Sequence, residues 1–272
     1  MKKDIAFITR ADDGGSTLSA NKAIEKVLKA GFIKNVSLMA SGPFIEDAAK
    51  RFNQFKDVCF GLHITLNAEW DKVKWKPVTN LKQDSGLLDS QGYFYNDPRV
   101  FESTKPKIAV IIKEIQAQYE KLLSLGFDVR YLDTHMMPEL VIPGLDEAIE
   151  DFAKEHKLID HMYYYKLPPG LMEMAKSQIS ILKWLRSIPE GQYFFVVHPS
   201  LNDEEMRQCG NAENPGEVLA KSRARETFLM SSKAVLWLLK HYHIRPLRYD
   251  QAKPMARMTS AEVLNILQGG QN

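Results

Sequence analysis

The segment Phe7-Ile8-Thr9-Arg10-Ala11-Asp12-Asp13-Gly14-Gly15 passes from an apolar run into two adjacent carboxylates and two glycines. Neighbouring side chains of a strand point to opposite faces, so Asp12 and Asp13 can share a cavity only if the strand ends there. The glycines favour such an ending, because they allow backbone conformations that other residues avoid. Two carboxylates brought that close repel each other unless a proton or a cation lies between them. A polar turn that merely caps the next helix is the alternative.

Length and composition limit the classes of protein that this chain can belong to. Its 272 residues approach the usual length of one (β/α) barrel, and 44% hydrophobic and 26% charged residues are ordinary for a globular protein. The 36 basic and 34 acidic side chains nearly balance, which predicts neither nucleic-acid binding nor a membrane-attracted surface. Two cysteines are too few for a disulfide framework. The first apolar run is too short for a secretion signal, so we expect a cytoplasmic protein.

Strand-like and helix-like segments alternate along the chain. After the first strand, further strands are predicted at 36–40, 58–66, 129–135, 162–167, 193–198 and 244–249. Helices are predicted at 16–31, 43–52, 105–125, 144–156, 171–186 and 217–242. The strands are apolar on both faces, which is typical of a parallel sheet covered by helices. We therefore predict one α/β domain over residues 1–272, a distorted or incomplete (β/α) barrel of about seven parallel strands with a long insertion at about 67–104.

Titratable residues collect where the predicted strands end. They are Asp12, Asp13, His63, Asp133, His135 and His198. Parallel α/β folds place their sites at the carboxyl ends of the strands, so we expect these side chains to meet. One carboxylate and two imidazoles from separate strands suit a divalent metal ion. The remaining Asp is then a candidate general base, and His198 a candidate acid for the leaving group. The other four histidines, at positions 156, 161, 241 and 243, are expected to be structural or exposed.

Several short motifs carry a resemblance to a known family over nearly the whole chain. They are Ala11-Asp12-Asp13-Gly14, Gly61-Leu62-His63-Ile64-Thr65-Leu66, Gly86-Leu87-Leu88-Asp89 with Gly92-Tyr93-Phe94, Glu114 and Gln118, Asp133-Thr134-His135, His198-Pro199, and Arg223 with Glu226. In this order they resemble the YdjC-like carbohydrate deacetylases, whose best-understood members act on chito-oligosaccharides. The resemblance implies a distorted (β/α) barrel and one divalent ion held by Asp13, His63 and His135. It further implies that Asp12 is the base, that His198 is the acid, and that an N-acetylated sugar loses its acetyl group as acetate.

Three departures from the family pattern bear on the substrate. Arg10 stands where relatives usually have a small polar residue, Gly15 replaces an aromatic residue, and Met136-Met137 follows His135 where another histidine is common. We count Arg10 and Asp133 among the predicted substrate-binding residues. Histidine-rich ligation suits Zn²⁺, Co²⁺ or Ni²⁺, whereas one carboxylate with several waters could hold Mg²⁺. The metal, magnesium or zinc, and the oligomeric state, including a homodimer, stay open.

The insertion at 67–104 follows the strand that bears His63 and is rich in aromatic residues. Trp70 and Trp75 lie among charged neighbours, and we predict that they bind the sugar as part of a lid or wall. Alternatively, such rings pin a long loop to the barrel. Competing functions are a metal-dependent hydrolase of another acyl amide or ester, a sugar-binding protein without turnover, and a retaining glycosidase, which needs two carboxyl groups about 5 Å apart.

Overall fold

A computed structural model describes residues 3–171 and 181–268. Its seven strands are β1 (Ile5–Gly14), β2 (Asn35–Leu38), β3 (Cys59–Ile64), β4 (Val129–Thr134), β5 (Ile159–Asp160), β6 (Gly191–Val197) and β7 (Ile244–Leu247). All of their pairings are parallel, in the order β5-β4-β3-β2-β1-β6 with β7 on β1. The sheet curls into a half-barrel surrounded by helices, which confirms the predicted α/β class.

The helices cover the outside of this sheet. They are α1 (Leu18–Ala30), α2 (Ile45–Phe52), α3 (Phe101–Thr104), α4 (Ile108–Ser124), α5 (Leu145–His156), α6 (Ile181–Ser187), α7 (Glu204–Gln208), α8 (Gly216–Ser231), α9 (Lys233–His241) and α10 (Ser260–Leu267). The first helix begins as predicted, because the Thr17 side chain accepts a hydrogen bond from the Ala20 N–H. It ends at Gly31, whose φ of 88° is in the left-handed region. Among the described residues, no helix is long and apolar enough to cross a membrane.

Strand β1 is the centre of the sheet. β6 pairs along one edge of β1. Along the other edge, β7 pairs with the first half of β1 and β2 pairs with the second half. Asn35 fills the fork between them: its amide Nδ2 donates to the carbonyls of Thr9 and Leu247, and its Oδ1 accepts from the Tyr249 N–H. This buried amide satisfies backbone groups that the fork would otherwise leave unpaired. Asn35 thereby joins the three strands just before the carboxyl end of β1.

The sequence predicts that β1 ends at Asp12-Asp13, and in the structure it ends one residue later. The strand runs on to Gly14, but its register against β2 shifts between Ala11 and Gly14. Asp13 has a φ of 66°, in the left-handed region that non-glycine residues seldom adopt. This single residue breaks the alternation of side chains, so Asp12 and Asp13 reach one cavity without the strand ending.

Two other predicted elements differ from the structure. The strand predicted at 162–167 is wrong: β5 lies earlier, and His161–Tyr164 forms a 3₁₀ turn capped by the Asp160 side chain. The helix predicted at 217–242 is two helices, α8 and α9, because Ser232 between them is extended at φ −73° and ψ 121°. Of the helix predicted at 171–186, residues 172–180 lie outside the described residues, and α6 covers Ile181–Ser187.

The insertion after β3 is packed onto the barrel as irregular chain. It contains short 3₁₀ turns at Gln83–Ser85 and Pro98–Val100 and one isolated bridge between Leu88 and Phe94. Glu114 on α4 holds it in place, since its buried carboxylate accepts hydrogen bonds from the backbone N–H groups of Val78 and Thr79. The segment is thus attached to α4 and packs against the barrel, and its role as a lid or wall for the substrate stays a prediction.

Candidate metal and catalytic site

A cavity of about 770 Å³ opens at the carboxyl ends of β1, β3, β4 and β6. Those strands contribute five of the six titratable residues that the sequence singled out: Asp12, Asp13, His63, His135 and His198. The sixth, Asp133, is fully buried beneath them on β4. The strand-end residues predicted to meet are therefore brought together.

Three donor atoms form a compact triangle at the base of this cavity. Asp13 Oδ1 lies 3.6 Å from His63 Nε2 and 3.4 Å from His135 Nδ1, and the two ring nitrogens are 3.2 Å apart. Atoms at such separations can each reach one ion at the bond lengths of about 2.0–2.2 Å that zinc makes with nitrogen and oxygen. Histidine and carboxylate donors also suit other divalent ions.

Each histidine is held by a carboxylate at its other ring nitrogen. His63 Nδ1 is 2.8 Å from Asp133 Oδ2, and His135 Nε2 is 2.7 Å from Glu69 Oε2. A proton on each of these nitrogens donates to the carboxylate and leaves the nitrogen of the triangle as a lone-pair donor. Metal-bound histidines are oriented in this way in proteins. The arrangement fixes both the ring positions and the tautomers that ligation needs.

The charges of the site match those of a divalent ion. Four carboxylates, on Asp12, Asp13, Glu69 and Asp133, contact this network, and two guanidinium groups, on Arg10 and Arg223, oppose them. Two negative charges thus stay uncompensated when both histidines are neutral.

Two further features indicate that the site lacks positive charge. Asp13 Oδ1 is buried and has no hydrogen-bond partner among the described residues. Burial by itself lowers the pKa of a histidine, but Asp133 and Asp13 outweigh it for His63, raising its pKa to about 10. Glu69 and Asp13 likewise outweigh burial for His135 and raise its pKa to about 9. The residues present therefore fit a divalent cation.

Asp12 and His198 face each other beside this triangle. His198 Nε2 is 3.9 Å from Asp12 Oδ2, and the His198 side chain is 37% exposed to the cavity. The His198 backbone N–H donates to Glu226 on α8, whose own pKa burial raises to about 7. One carboxylate fixed in the interior and one accessible imidazole are suited to moving protons in opposite directions.

Arg10 and Asp133, predicted to bind substrate, are engaged with other residues of the site. Arg10 lines the cavity but donates to both oxygens of Asp12, at 2.6 and 2.8 Å. Asp133 Oδ2 accepts from both His63 and Arg10. These contacts give the two residues a role in organising the site, and their contact with a substrate stays a prediction.

The two tryptophans of the insertion lie inside the hydrophobic core, not among the charged side chains that flank them in sequence. Trp70 lines the cavity but is only 6% exposed. Trp75 is 2% exposed, donates from Nε1 to the Asn67 carbonyl, and packs edge-on against His135 at 5.9 Å. The sequence interpretation that both stand apart from apolar residues was wrong, since both rings belong to the hydrophobic core although charged residues flank them in sequence. Sugar binding by either ring stays a prediction.

The argument from strand ends missed three residues of the site. Glu69 lies in the irregular insertion, where no strand-end argument applies. Arg223 on α8 places Nη1 3.4 Å from Asp13 Oδ2, and only its place in the family pattern singled it out. His161, expected to be structural or exposed, is buried and lines the cavity. Burial and the adjacent charge of Arg10 lower the pKa of His161 to about 4. Its position directly after β5 was the available signal, hidden by the misplaced fifth strand.

Comparison with known proteins gives consistent similarities. A family model described as YdjC-like protein matches residues 6–241. A carbohydrate deacetylase of Thermoanaerobacter pseudethanolicus is 25% identical over 266 residues, covering 91% of this chain and 99% of that protein. A carbohydrate deacetylase of Oceanobacillus iheyensis is 27% identical over 225 residues, covering 81% and 90%. A solved structure from Enterococcus faecalis, named for cellobiose-phosphate cleavage, superposes with a TM-score of 0.72 at 18% identity and covers 91% and 98%. That likeness concerns the fold alone.

Proposed function

The chain belongs to the YdjC-like family, and on that premise we propose that it is a metal-dependent carbohydrate deacetylase. The reaction is hydrolysis of the acetamide of an N-acetylated sugar, with release of acetate and a free amine. Two relatives that align over most of their length are named carbohydrate deacetylases, which supports this reaction class.

One observation carries the proposal: the triangle of Asp13, His63 and His135, with a carboxylate behind each histidine. A sugar-binding protein without turnover would need neither a divalent ion nor a second carboxylate beside it. Here Asp12 is retained within reach of His198. The combination favours an enzyme over a binding protein.

Different residues of the chain have separate roles in the proposed hydrolysis. Asp13, His63 and His135 would hold the divalent ion, which when bound polarises the amide carbonyl and makes water more acidic. Asp12 then takes a proton from the attacking water, while Arg10 keeps its carboxylate in place. His198 donates a proton to the nitrogen of the departing amine. Arg223, beside Asp13, is placed to stabilise negative charge that develops on the acetyl oxygen.

For the substrate, we propose short N-acetylated sugars such as chito-oligosaccharides. The cavity has room for more than one sugar ring, and its outer rim is polar. The rim comes from two loops, the insertion and the α7–α8 connection. They are joined where the Asp71 N–H donates to the Gly210 carbonyl and where Asn211 Nδ2 donates to the Glu69 carbonyl. Because Glu69 is also bonded to His135, a substrate bound to these loops lies against the segment that holds His135.

The test begins with metal analysis of the purified protein and a screen of N-acetylated sugars for acetate release. His135→Ala should lose the ion and nearly all turnover, whereas Asp12→Asn should keep the ion and lose most of kcat. His241→Ala, which changes an exposed histidine of α9, is the matched control. Full metal content and full turnover in His135→Ala would refute the proposed metal centre.

A parallel assay for new reducing ends separates deacetylation from glycoside cleavage. Reducing ends without acetate would identify a glycosidase. Acetate released only from esters or from amides other than sugar acetamides would identify the more general hydrolase. Sugar binding without either product would identify a binding protein.

A further inference from the structure

A second set of metal-type donors lies directly beside the proposed metal centre. Ligand atoms of Asp12, His63 and Asp133 all lie within 4.8 Å of one another, and all three residues are buried. His63 belongs to both sets, since Nε2 faces Asp13 and Nδ1 is bonded to Asp133. The His63 imidazole therefore lies between two groups of carboxylates, one at each ring nitrogen.

A positively charged side chain already contacts the carboxylates of this second donor set. The Arg10 guanidinium donates from Nε to Asp12 Oδ1 at 2.6 Å and from Nη2 to Asp12 Oδ2 at 2.8 Å. The same Nη2 is 3.0 Å from Asp133 Oδ2. One guanidinium thus bridges both carboxylates of the second set, in the two-pronged geometry that Arg makes and Lys cannot.

The surroundings of Arg10 hold it in that position. Only 5% of the residue is exposed, Nη1 donates to the Tyr249 hydroxyl at 3.2 Å, and the guanidinium carbon lies 4.5 Å from the centre of the Phe194 ring. A guanidinium keeps its charge at every pH at which the protein is folded. The second donor set therefore contacts a permanent positive charge that needs no ion from solution.

We propose that Arg10 acts as a built-in cation at the second donor set and limits the centre to one divalent ion. The inference rests on the proposed function for the identity of the first site. A second divalent ion would lie against the Arg10 charge and find both Asp12 oxygens already bonded. Without Arg10, two buried carboxylates would be left uncompensated, which is costly, and a divalent ion could replace the missing charge. Arg10 also keeps Asp12 away from ligation, so that this carboxylate stays available as the base.

Two substitutions of Arg10 separate its charge from its shape. Arg10→Ser removes the charge and opens space, whereas Arg10→Lys keeps a charge in a different shape. Each protein is stripped with a chelator, checked for folding by circular dichroism, and dialysed against Mn²⁺. Bound Mn²⁺ per chain is measured by elemental analysis, and electron paramagnetic resonance reports whether two ions lie close together. We expect one ion for the wild type and for Arg10→Lys, and two closely spaced ions for Arg10→Ser.

A second pair of variants distinguishes failure of this inference from failure of the proposed function. In His135→Ala, a ligand of the first site is removed while Asp12, His63 and Asp133 stay. Adding Arg10→Ser to that variant should raise its bound Mn²⁺ by one. If the wild type binds no ion but Arg10→Ser gains one, the proposed metal enzyme fails and the role of Arg10 stands.

Several outcomes would overturn the inference. One is a wild type that binds two neighbouring ions, and another is a folded Arg10→Ser that binds no more than the wild type. If Arg10→Ser does not fold, Arg10→Gln removes the charge while keeping a hydrogen-bond donor, and the same ion count applies. Failure of both neutral variants to fold even with Mn²⁺ present also counts against it, since the ion should replace the lost charge.

Discussion

Glu69→Gln should weaken divalent-ion binding about 10–100-fold while leaving the fold intact. The Glu69 side chain is 8% exposed, and its Oε2 accepts from His135 Nε2 at 2.7 Å. Gln can accept the same hydrogen bond, but as a neutral group it makes the imidazole a weaker base. It also removes one of the negative charges that the ion would compensate.

The magnitude follows from the electrostatics of His135. Burial lowers its pKa, yet Glu69 and Asp13 together raise it from 6.5 to about 9. A difference of that size corresponds to about 3 kcal/mol of net interaction between the imidazolium and its carboxylates. Since Glu69 shares this with Asp13, loss of its charge should cost roughly 1–3 kcal/mol of ion-binding free energy, where about 1.4 kcal/mol is tenfold in Kd.

The assay is competition of the protein with a chromogenic chelator for Zn²⁺ or Co²⁺, read as Kd. Glu213→Gln is the matched control, because it removes one carboxylate from the cavity rim at a side chain that is 76% exposed. Asn211→Ala should give a smaller loss, since Asn211 Nδ2 holds the Glu69 carbonyl at 3.0 Å and not its carboxylate. A folded Glu69→Gln whose Kd stays within twofold of the wild type refutes the reasoning, as does an equal loss in Glu213→Gln.

Three further predictions concern stability. Burial raises the pKa of Glu139 to about 7 from 4.5. The folded protein therefore favours the protonated side chain, and the stability that this gives is fully present below pH 4.5 and is lost as pH rises through 7. Glu139→Gln should therefore gain on the order of 3 kcal/mol relative to the wild type between pH 5 and pH 8, measured by urea unfolding. Gly61→Ala should destabilise by roughly 1–3 kcal/mol, because the added Cβ would lie 2.3 Å from the Tyr131 ring. Trp75→Ala should cost roughly 3–5 kcal/mol of unfolding free energy as a buried indole is lost.

Each of these predictions has its own control. A gap between Glu139→Gln and the wild type that does not change with pH would contradict the buried, raised carboxyl. Tyr131→Leu should recover part of the loss in Gly61→Ala, and no recovery would show that the two residues are not in conflict. A Trp75→Ala protein that melts like the wild type but binds sugar weakly would contradict this cost and support the prediction that the ring contacts substrate.

The order of strands and helices was predictable from the sequence because it depends on local periodicity. Apolar runs such as 193–198 predict buried strands, and the helix predicted at 16–31 corresponds to α1. The strand-end residues His63, Asp133 and His135 followed from the same reading, since parallel strands deliver their carboxyl ends to one edge. The family pattern then separated the roles of Asp12 and Asp13, which the residues by themselves left open.

Tertiary structure alone decided how those side chains are oriented and held. The left-handed backbone of Asp13, which lets two neighbouring carboxylates share a cavity, lies where the register of β1 shifts against β2. The carboxylate behind His135 comes from Glu69, 66 residues earlier in an irregular segment. The sequence predicts Arg10 only as a substrate-binding residue, whereas the fold buries its guanidinium between Asp12 and Asp133. Pattern and propensity describe neighbours along the chain, whereas these contacts depend on which distant surfaces pack together.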